Sequence, residues 1–349
     1  SPAPIASGTG PRWLTPWLTA VAASVVAMIV LGGVVRLAHA GLSIVEWHPV
    51  TGILPPLSEG AWSEAFEAYR ATPEYRLVND GMSMAAFRNI YWLEYLHRVL
   101  GRLAGLLLVL PLAIGLVRRS FDRATATALV GIAVLFAMQG VMGWLMVASG
   151  LKDQPWVSPY RLLLHLWLAF ALLALVVWQL FTHAVGRPAT SAGIRLQRPA
   201  TVALVALVAQ TGIGALVAGH RAGWVSDTFP RMQGRWIPDG IGSMPGWVDL
   251  VANPLTVHFE HRWFAFVVLA AVLWLHGRAR TTAVTPVVRR LATAAAALTA
   301  LQVALGITVV LTSVPVALAS LHQAAAAVLL GVLVAVVHQT REPLDSEKI

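Results

Sequence analysis

The chain has 349 residues, 57% of them hydrophobic and 12% charged, with a formal net charge of +9. That balance, with many apolar runs of ~20 residues, excludes a soluble globular domain and indicates a polytopic helical membrane protein. The basic residues cluster in short loops between apolar runs, so no nucleic-acid partner is expected, and the absence of cysteine excludes disulfides, thiolate ligands and iron–sulfur clusters, leaving eleven histidines as the main soft ligands.

Residues 1–10 are small and polar and lack a charged region followed by a cleavage site, so they read as a disordered or trimmed tail rather than a signal peptide. Eight spans are expected. The first covers roughly residues 17–36. A long polar stretch follows, His39 to Arg88, with Glu46, Glu59, Glu64, Glu67, Glu74 and Asp80, the pair Pro55-Pro56 and an amphipathic piece around Trp62 to Tyr69. A loop of this length between packed spans is commonly functional. Spans two, three and four are expected near residues 92–117, 125–148 and 160–182.

A linker at 186–198, with Arg187, Pro188, Arg195 and Arg198 and then Pro199, separates an N-terminal half (1–185) from a C-terminal half (199–349). Span five falls near residues 200–219. A second long loop, Arg221 to Pro254, is rich in Gly, Pro and Trp. Spans six, seven and eight fall near 255–275, 291–311 and 316–337. Arginines concentrate after spans two, four and six, which predicts both termini in the cytoplasm and the long loops outside.

The halves repeat each other. The segment Gly32 to Gly41 resembles Gly214 to Gly223, His97-Arg98 matches His261-Arg262, Gln139 and Gly143 match Gln302 and Gly306, and His165 matches His322. Four spans separate each pair, so the copies share an orientation, and two pseudo-symmetric four-helix bundles side by side are the simplest architecture.

His97, His165, His261 and His322 lie at a common depth on the even spans. Two imidazoles that face each other inside a helix bundle bind haem iron axially, and the repeat predicts two such sites. A lone membrane histidine is more often a helix-to-helix hydrogen bond; four at matched depth in matched pairs disfavour that reading. His39, His48, His183, His220, His276 and His338 lie at span ends or in loops and read as solvated or interfacial. Arg98 and Arg262 directly follow a candidate ligand, where they serve either as snorkelling anchors or as cations for haem propionates. Gln139 and Gln302 read as interhelical glue. Arg36 sits in a tight helix end, and its role stays open.

One position breaks the repeat. Three residues before the histidine, the first copy has Glu94 and the second has His258. Glu94 and His97 share a helix face. A partly desolvated carboxyl beside a haem would hold and transfer protons, so the divergence suggests one half for chemistry and one for electron transfer. The alternative is that Glu94 simply pairs with Arg88 or Arg98.

With these stretches in view, the chain resembles the haem A synthases of the mitochondrial and alphaproteobacterial type. The resemblance is carried by Gly41-Leu42-Ser43-Ile44-Val45-Glu46-Trp47, Thr51-Gly52-Ile53-Leu54-Pro55-Pro56-Leu57, Thr72-Pro73-Glu74-Tyr75-Arg76-Leu77-Val78-Asn79 and Glu94-Tyr95-Leu96-His97-Arg98. In the second half it is carried by Gly214 to Gly223, Thr228-Phe229-Pro230, Phe259-Glu260-His261-Arg262, Leu301 to Thr308 and Leu321-His322-Gln323. The resemblance implies oxidation of the C8 methyl of haem O to a formyl group through a hydroxymethyl intermediate, giving haem A for terminal oxidases. It implies haem b in the C-terminal half with His261 and His322 as ligands. It places substrate haem in the N-terminal half, with His97 and His165 near the iron and Glu94 as the acid–base residue. It also implies a bacterial inner-membrane location with the haem sites toward the outer side, and a haem O synthase as substrate donor. The electron acceptor is not legible, and a homo-oligomer stays open. Some relatives carry a cysteine pair in the outer loops; this chain has none, so no thiol relay operates in it. Two other classes also accommodate four histidines: a dihaem electron-transfer protein, and a haem transporter or chaperone that leaves haem unaltered.

Overall fold

The computed structural model describes residues 10–47, 52–152, 154–186 and 193–341. Eight long helices cross from end to end: α1 (Leu14–Leu37), α4 (Met84–Val117), α5 (Arg123–Gly150), α6 (Pro159–Ala184), α7 (Ile194–Gly219), α9 (Pro254–Thr281), α10 (Pro286–Leu311) and α11 (Val316–Thr340). Each is long and apolar enough to span a membrane, and a helix satisfies its own backbone where no water is present. The chain is therefore a multi-pass membrane protein. Three short helices lie in the long loops: α2 (Glu59–Arg70), α3 (Pro73–Leu77) and α8 (Trp247–Ala252).

Local sequence sets many of the helix starts. The side chains of Ser83, Asp122, Asn253 and Thr285 each accept an N–H from the first turn of α4, α5, α9 and α10. Pro159, Pro254 and Pro286 occupy the first helical position, where the missing N–H costs nothing. In each half the spans close into the same ring. In the first, α1 packs on α4, α4 on α5, α5 on α6 and α6 on α1; in the second, α7 on α9, α9 on α10, α10 on α11 and α11 on α7. The halves meet where α11 packs on α1 and α6, and α6 on α7. The main core, from Val25 and Ile29 through Ala169, Ala200, Ala203, Ala295 and Ala327, is rich in alanine. Small side chains let helix backbones approach closely where no hydrophobic force drives them together.

Three features depart from the sequence reading. Helix α4 begins at Met84, two turns before the expected span, because Phe87 and Tyr91 bury themselves under α2 and α3. Helix α7 begins at Ile194, so Arg195, Arg198 and Pro199 belong to the helix and not to a linker; Leu196, Pro199 and Ala200 are buried on its inner face. His338, expected to be interfacial, is wholly buried. It lies 2.9 Å from Thr182 Oγ1, and Trp178 meets its ring edge-on at 4.9 Å. The expected tail at 1–9, His48, Arg187 and Pro188, and the charged end after Arg341 lie outside the described residues.

The first long loop forms a cap of aromatic side chains, Trp62, Tyr69, Tyr75, Phe87 and Tyr91. Glu74 is buried within it and accepts a hydrogen bond from Tyr69 Oη at 3.2 Å, while Asn79 Nδ2 donates to the same Tyr69 oxygen at 2.7 Å. Burial pushes the Glu74 carboxyl up to about 8. The folded cap therefore binds a proton that the unfolded chain releases near the ordinary glutamate range. Stability is full below that range and falls as pH rises through the window up to about 8. The protection of the α2–α3 amides, corrected for the intrinsic base-catalysed rate, is expected to fall between about pH 4.5 and 8. In Glu74→Gln that fall should vanish; a wild-type pH profile parallel to the variant's would contradict the assignment. The second long loop uses the opposite device. Asp249 accepts from Asn253 Nδ2 (2.9 Å), Thr256 Oγ1 (2.6 Å) and the backbone N–H groups of Met244 (3.0 Å) and Gly242 (2.9 Å), and these bonds hold its carboxyl below the usual range.

Candidate functional site

Each of the four paired histidines faces a glycine on the preceding long helix. A Cβ added to Gly32 would lie 3.2 Å from His97 Nε2, and one on Gly143 would lie 3.1 Å from His165 Cε1. One on Gly214 would lie 2.9 Å from His261 Cε1, and one on Gly306 would lie 3.0 Å from His322 Cε1. A side chain at any of these positions would push the imidazole aside. The repeat thus consists of four units, each a glycine on one helix and an imidazole on the next.

Three of the four units also carry a glutamine one turn before the glycine. Gln139 Nε2 donates to the His165 carbonyl at 3.0 Å and lies 3.3 Å from its Nε2. Gln210 Nε2 donates to the His261 carbonyl at 2.8 Å and lies 3.1 Å from its Nδ1. Gln302 Nε2 lies 3.3 Å from His322 Nε2. The sequence reading identified Gln139 and Gln302 but not Gln210. The signal was the Gln-x-x-x-Gly spacing, which Gln210 and Gly214 repeat. It is hard to see because the fourth unit has Met28 before Gly32.

His261 and His322 face each other with ring centroids 6.4 Å apart and planes at 75°. An imidazole nitrogen binds a transition metal at ~2 Å, so two trans ligands place their ring centroids ~6 Å apart. His97 and His165 stand at the equivalent places in the first half, each against its glycine. The polar atoms left over fit the same use. Oε1 of Gln139, Gln210 and Gln302, and Nδ1 of His165 and His322, are buried without a partner among the described residues. An orphaned buried amide oxygen costs about 1–3 kcal/mol. The spacing of His261 and His322 therefore fits a haem held between two imidazoles in the second half.

Beside each pair sits an arginine clamp. Arg98 donates to the Ile44 carbonyl at 2.7 Å, to the Glu46 carbonyl at 2.9 Å, and to Glu94 Oε1 through both Nε (3.0 Å) and Nη2 (2.6 Å). Arg262 donates to the Thr228 carbonyl at 2.6 Å, the Ser226 carbonyl at 2.9 Å and His258 Nε2 at 3.1 Å. Each arginine thus ties its long loop to the start of a span. Glu94 is 3% exposed and takes two further donors, Ser43 Oγ at 2.7 Å and Ile44 N–H at 2.9 Å. Of the two readings of Glu94, the geometry is that of pairing, with Arg98; Arg88 bonds Glu59 instead. The substitution of His258 for Glu94 keeps the clamp and changes its charge. The first half holds a neutral ion pair, the second an arginine on an imidazole.

Equivalent positions agree elsewhere. His39 and Arg221 both take left-handed backbone, at φ 50° and 55°. Arg36 donates to the carbonyl of Ala218, its counterpart in the other half. Arg221 stacks over Trp156 at 3.3 Å. So Arg36, whose role the sequence left open, bonds one half to the other.

Eight described spans, in two halves that repeat two glycine-backed histidines and an arginine clamp, define a class of multi-pass membrane protein. A family described as cytochrome oxidase assembly protein matches residues 15–334. The heme A synthase of Parvibaculum lavamentivorans is 45% identical over 324 residues, 93% of each chain. That of Caulobacter vibrioides is 41% identical over 328 residues, 94% of this chain and 96% of its own. That of Rhodospirillum centenum is 42% identical over 342 residues, 97% of this chain and 91% of its own. The chain belongs to the cytochrome oxidase assembly protein family that contains these heme A synthases.

Proposed function

We propose that this protein is a haem A synthase that converts the C8 methyl of haem O to a formyl group through a hydroxymethyl intermediate. The observation that carries the reading is the divergence of two otherwise matching sites at one residue, Glu94 against His258, beside paired imidazoles. The overall change takes up one water and releases four protons and four electrons, the electrons to an oxidant outside this chain, so the substrate half needs a proton acceptor that the other half does not. We assign that role to Glu94. Its contacts with Ser43 and Arg98 link it to the first loop. His97 and His165 would bind the substrate's iron, and His261 and His322 a resident haem b. That haem, when bound, supplies a one-electron relay. The chain's part is to hold the ligands: the glycines keep the imidazole faces clear, the glutamines fix ring orientation, and the aromatic cap keeps water from the first site.

In this reading the protein lies in a bacterial inner membrane with both termini cytoplasmic and both sites toward the outer face. A haem O synthase would deliver the substrate. The test is to extract haem from membranes of cells that express the protein and are supplied with haem O. Hydroxylated and formylated haem are expected in the chromatogram. Haem O returned unaltered, with the protein present and haem-loaded, would favour a carrier or an electron-transfer protein.

A further inference from the structure

The two halves are linked beside their histidines, and each link runs from a histidine-bearing helix of one half to a glycine-bearing helix of the other. On α11, Gln323 follows His322 directly. Its Nε2 donates across the boundary to the Ile29 carbonyl of α1 at 2.7 Å. The same amide packs on Gly33, where a Cβ would stand 2.6 Å from Oε1 and 3.2 Å from Nε2. Ile29 lies four residues before Gly33, so its carbonyl is the one that the Gly33 N–H uses in a regular helix. The residue before Gly33 is Gly32, the glycine that faces His97. On α6, Trp167 lies two residues after His165. Its Nε1 donates to the Val208 carbonyl of α7 at 3.3 Å. Its ring packs on Gly212, where a Cβ would stand 2.4 Å from Cζ2. Val208 again lies four residues before that glycine, and two residues further on is Gly214, which faces His261.

The internal repeat does not produce these links by copying. The counterpart of Gln323 is Leu166, and that of Trp167 is Ala324. Two unlike side chains at non-equivalent positions therefore make the same kind of contact in opposite directions. We infer that each half supplies a positioning residue to the other half's haem site, Gln323 to the first and Trp167 to the second. The inference rests on the reading that both halves bind haem between their histidines. Its physical basis is the stiffness of a helix. Neighbouring residues on a helix point about 100° apart, so the turn of α1 that meets α11 through Gly33 meets His97 through Gly32. Fixing Ile29 and Gly33 to α11 sets how closely that turn approaches the His97 ring, and with 3.2 Å left for a Cβ at Gly32 the fit has little slack. A ligand held by a loosened support loses its working geometry. Because Gln323 is joined to His322 by a peptide bond, the same segment of α11 carries a ligand of one site and the brace of the other.

The test uses the purified full-length protein in detergent, freed of haem and titrated with haem B, with binding followed by the Soret band. The two sites are separated by background: His261→Ala leaves the first, His97→Ala the second. Gln323→Met, which keeps the side chain's length and removes its N–H, should weaken haem B binding about 3–10-fold in the His261→Ala background, the scale of one net hydrogen bond. In the His97→Ala background it should change nothing, although position 323 adjoins His322. Trp167→Leu should do the reverse, weakening the second site and sparing the first, although it lies near His165. Gly33→Ala reaches the first link from the other side and should repeat the Gln323→Met pattern, so the test survives misfolding of either variant. The inference is overturned if Gln323→Met weakens the site in its own half, both sites equally, or neither. Failure of the underlying reading looks different: if His261→Ala binds no haem B at all, the first half holds none and both readings fall.

Discussion

Glu94→His is expected to fold, to bind haem in both halves, and to form neither hydroxylated nor formylated product, with turnover lowered at least about 10²-fold, the usual scale for removing an acid–base group. The structure itself supplies the reason to choose histidine over alanine. At the equivalent place the protein already uses His258, which accepts from Arg262 Nε at 3.1 Å while that arginine holds the Ser226 and Thr228 carbonyls. A histidine at 94 would therefore preserve the clamp through Arg98, Ile44 and Glu46. Ile44 N–H and Ser43 Oγ lose their acceptor and the buried Arg98 loses its carboxylate, so a cost of about 3–5 kcal/mol is expected. The readouts are haem content by pyridine haemochrome, thermal unfolding in detergent, and product by chromatography. Product formed at the wild-type rate would show that Glu94 serves only the clamp. Loss of haem together with product would show instead that Glu94 is needed to hold the site.

The spans were legible because a helix in lipid must be apolar along its whole length, and no other pattern in a chain of this composition competes with that. The four histidines were legible because the chain states them twice, at matching places near the start of its even spans. The clamp was not. Its acceptors are the carbonyls of Ile44, Glu46, Ser226 and Thr228, and any residue type supplies a carbonyl, so no spacing in the sequence marks them. The pairing of Glu94 with Arg98 was visible as one option, since residues four apart on a helix are neighbours, but the choice between Arg88 and Arg98 depended on where the loop goes. Gln210 escaped because its counterpart is Met28, and a repeat found by matching halves hides a residue that only one half keeps. His338 escaped because a histidine in the last turn of a span reads as interfacial until Trp178 and Phe181 are seen to cover it.

The two clamps also predict unequal costs for the same change. Arg98→Ala is expected to destabilise the protein by about 3–5 kcal/mol, the scale for stranding one member of a buried ion pair. Glu94 is 3% exposed, and Ser43 and Ile44 would be the only donors left to it. Arg262→Ala strands no charge. It leaves a neutral imidazole at His258 and two carbonyls, so a loss of about 1–2 kcal/mol is expected. Thermal or denaturant unfolding of the two variants in the same detergent measures the difference. The double change Glu94→Gln with Arg98→Ala provides the check on mechanism, because an amide at 94 keeps the bonds from Ser43 and Ile44 without a buried charge. It should recover more than half of the loss, a coupling that a double-mutant cycle isolates. Equal losses for Arg98→Ala and Arg262→Ala, with no recovery in the double variant, would show that the arginines act only through the loop carbonyls. The charge difference between the halves would then have no bearing on stability. If the unequal losses are found, the halves differ in a definite way. The first half holds its buried carboxylate with an arginine locked to it, and any step that uses Glu94 must first loosen that lock. This ties proton transfer at the site to movement of the first loop, since the guanidinium that holds Glu94 also holds Ile44 and Glu46.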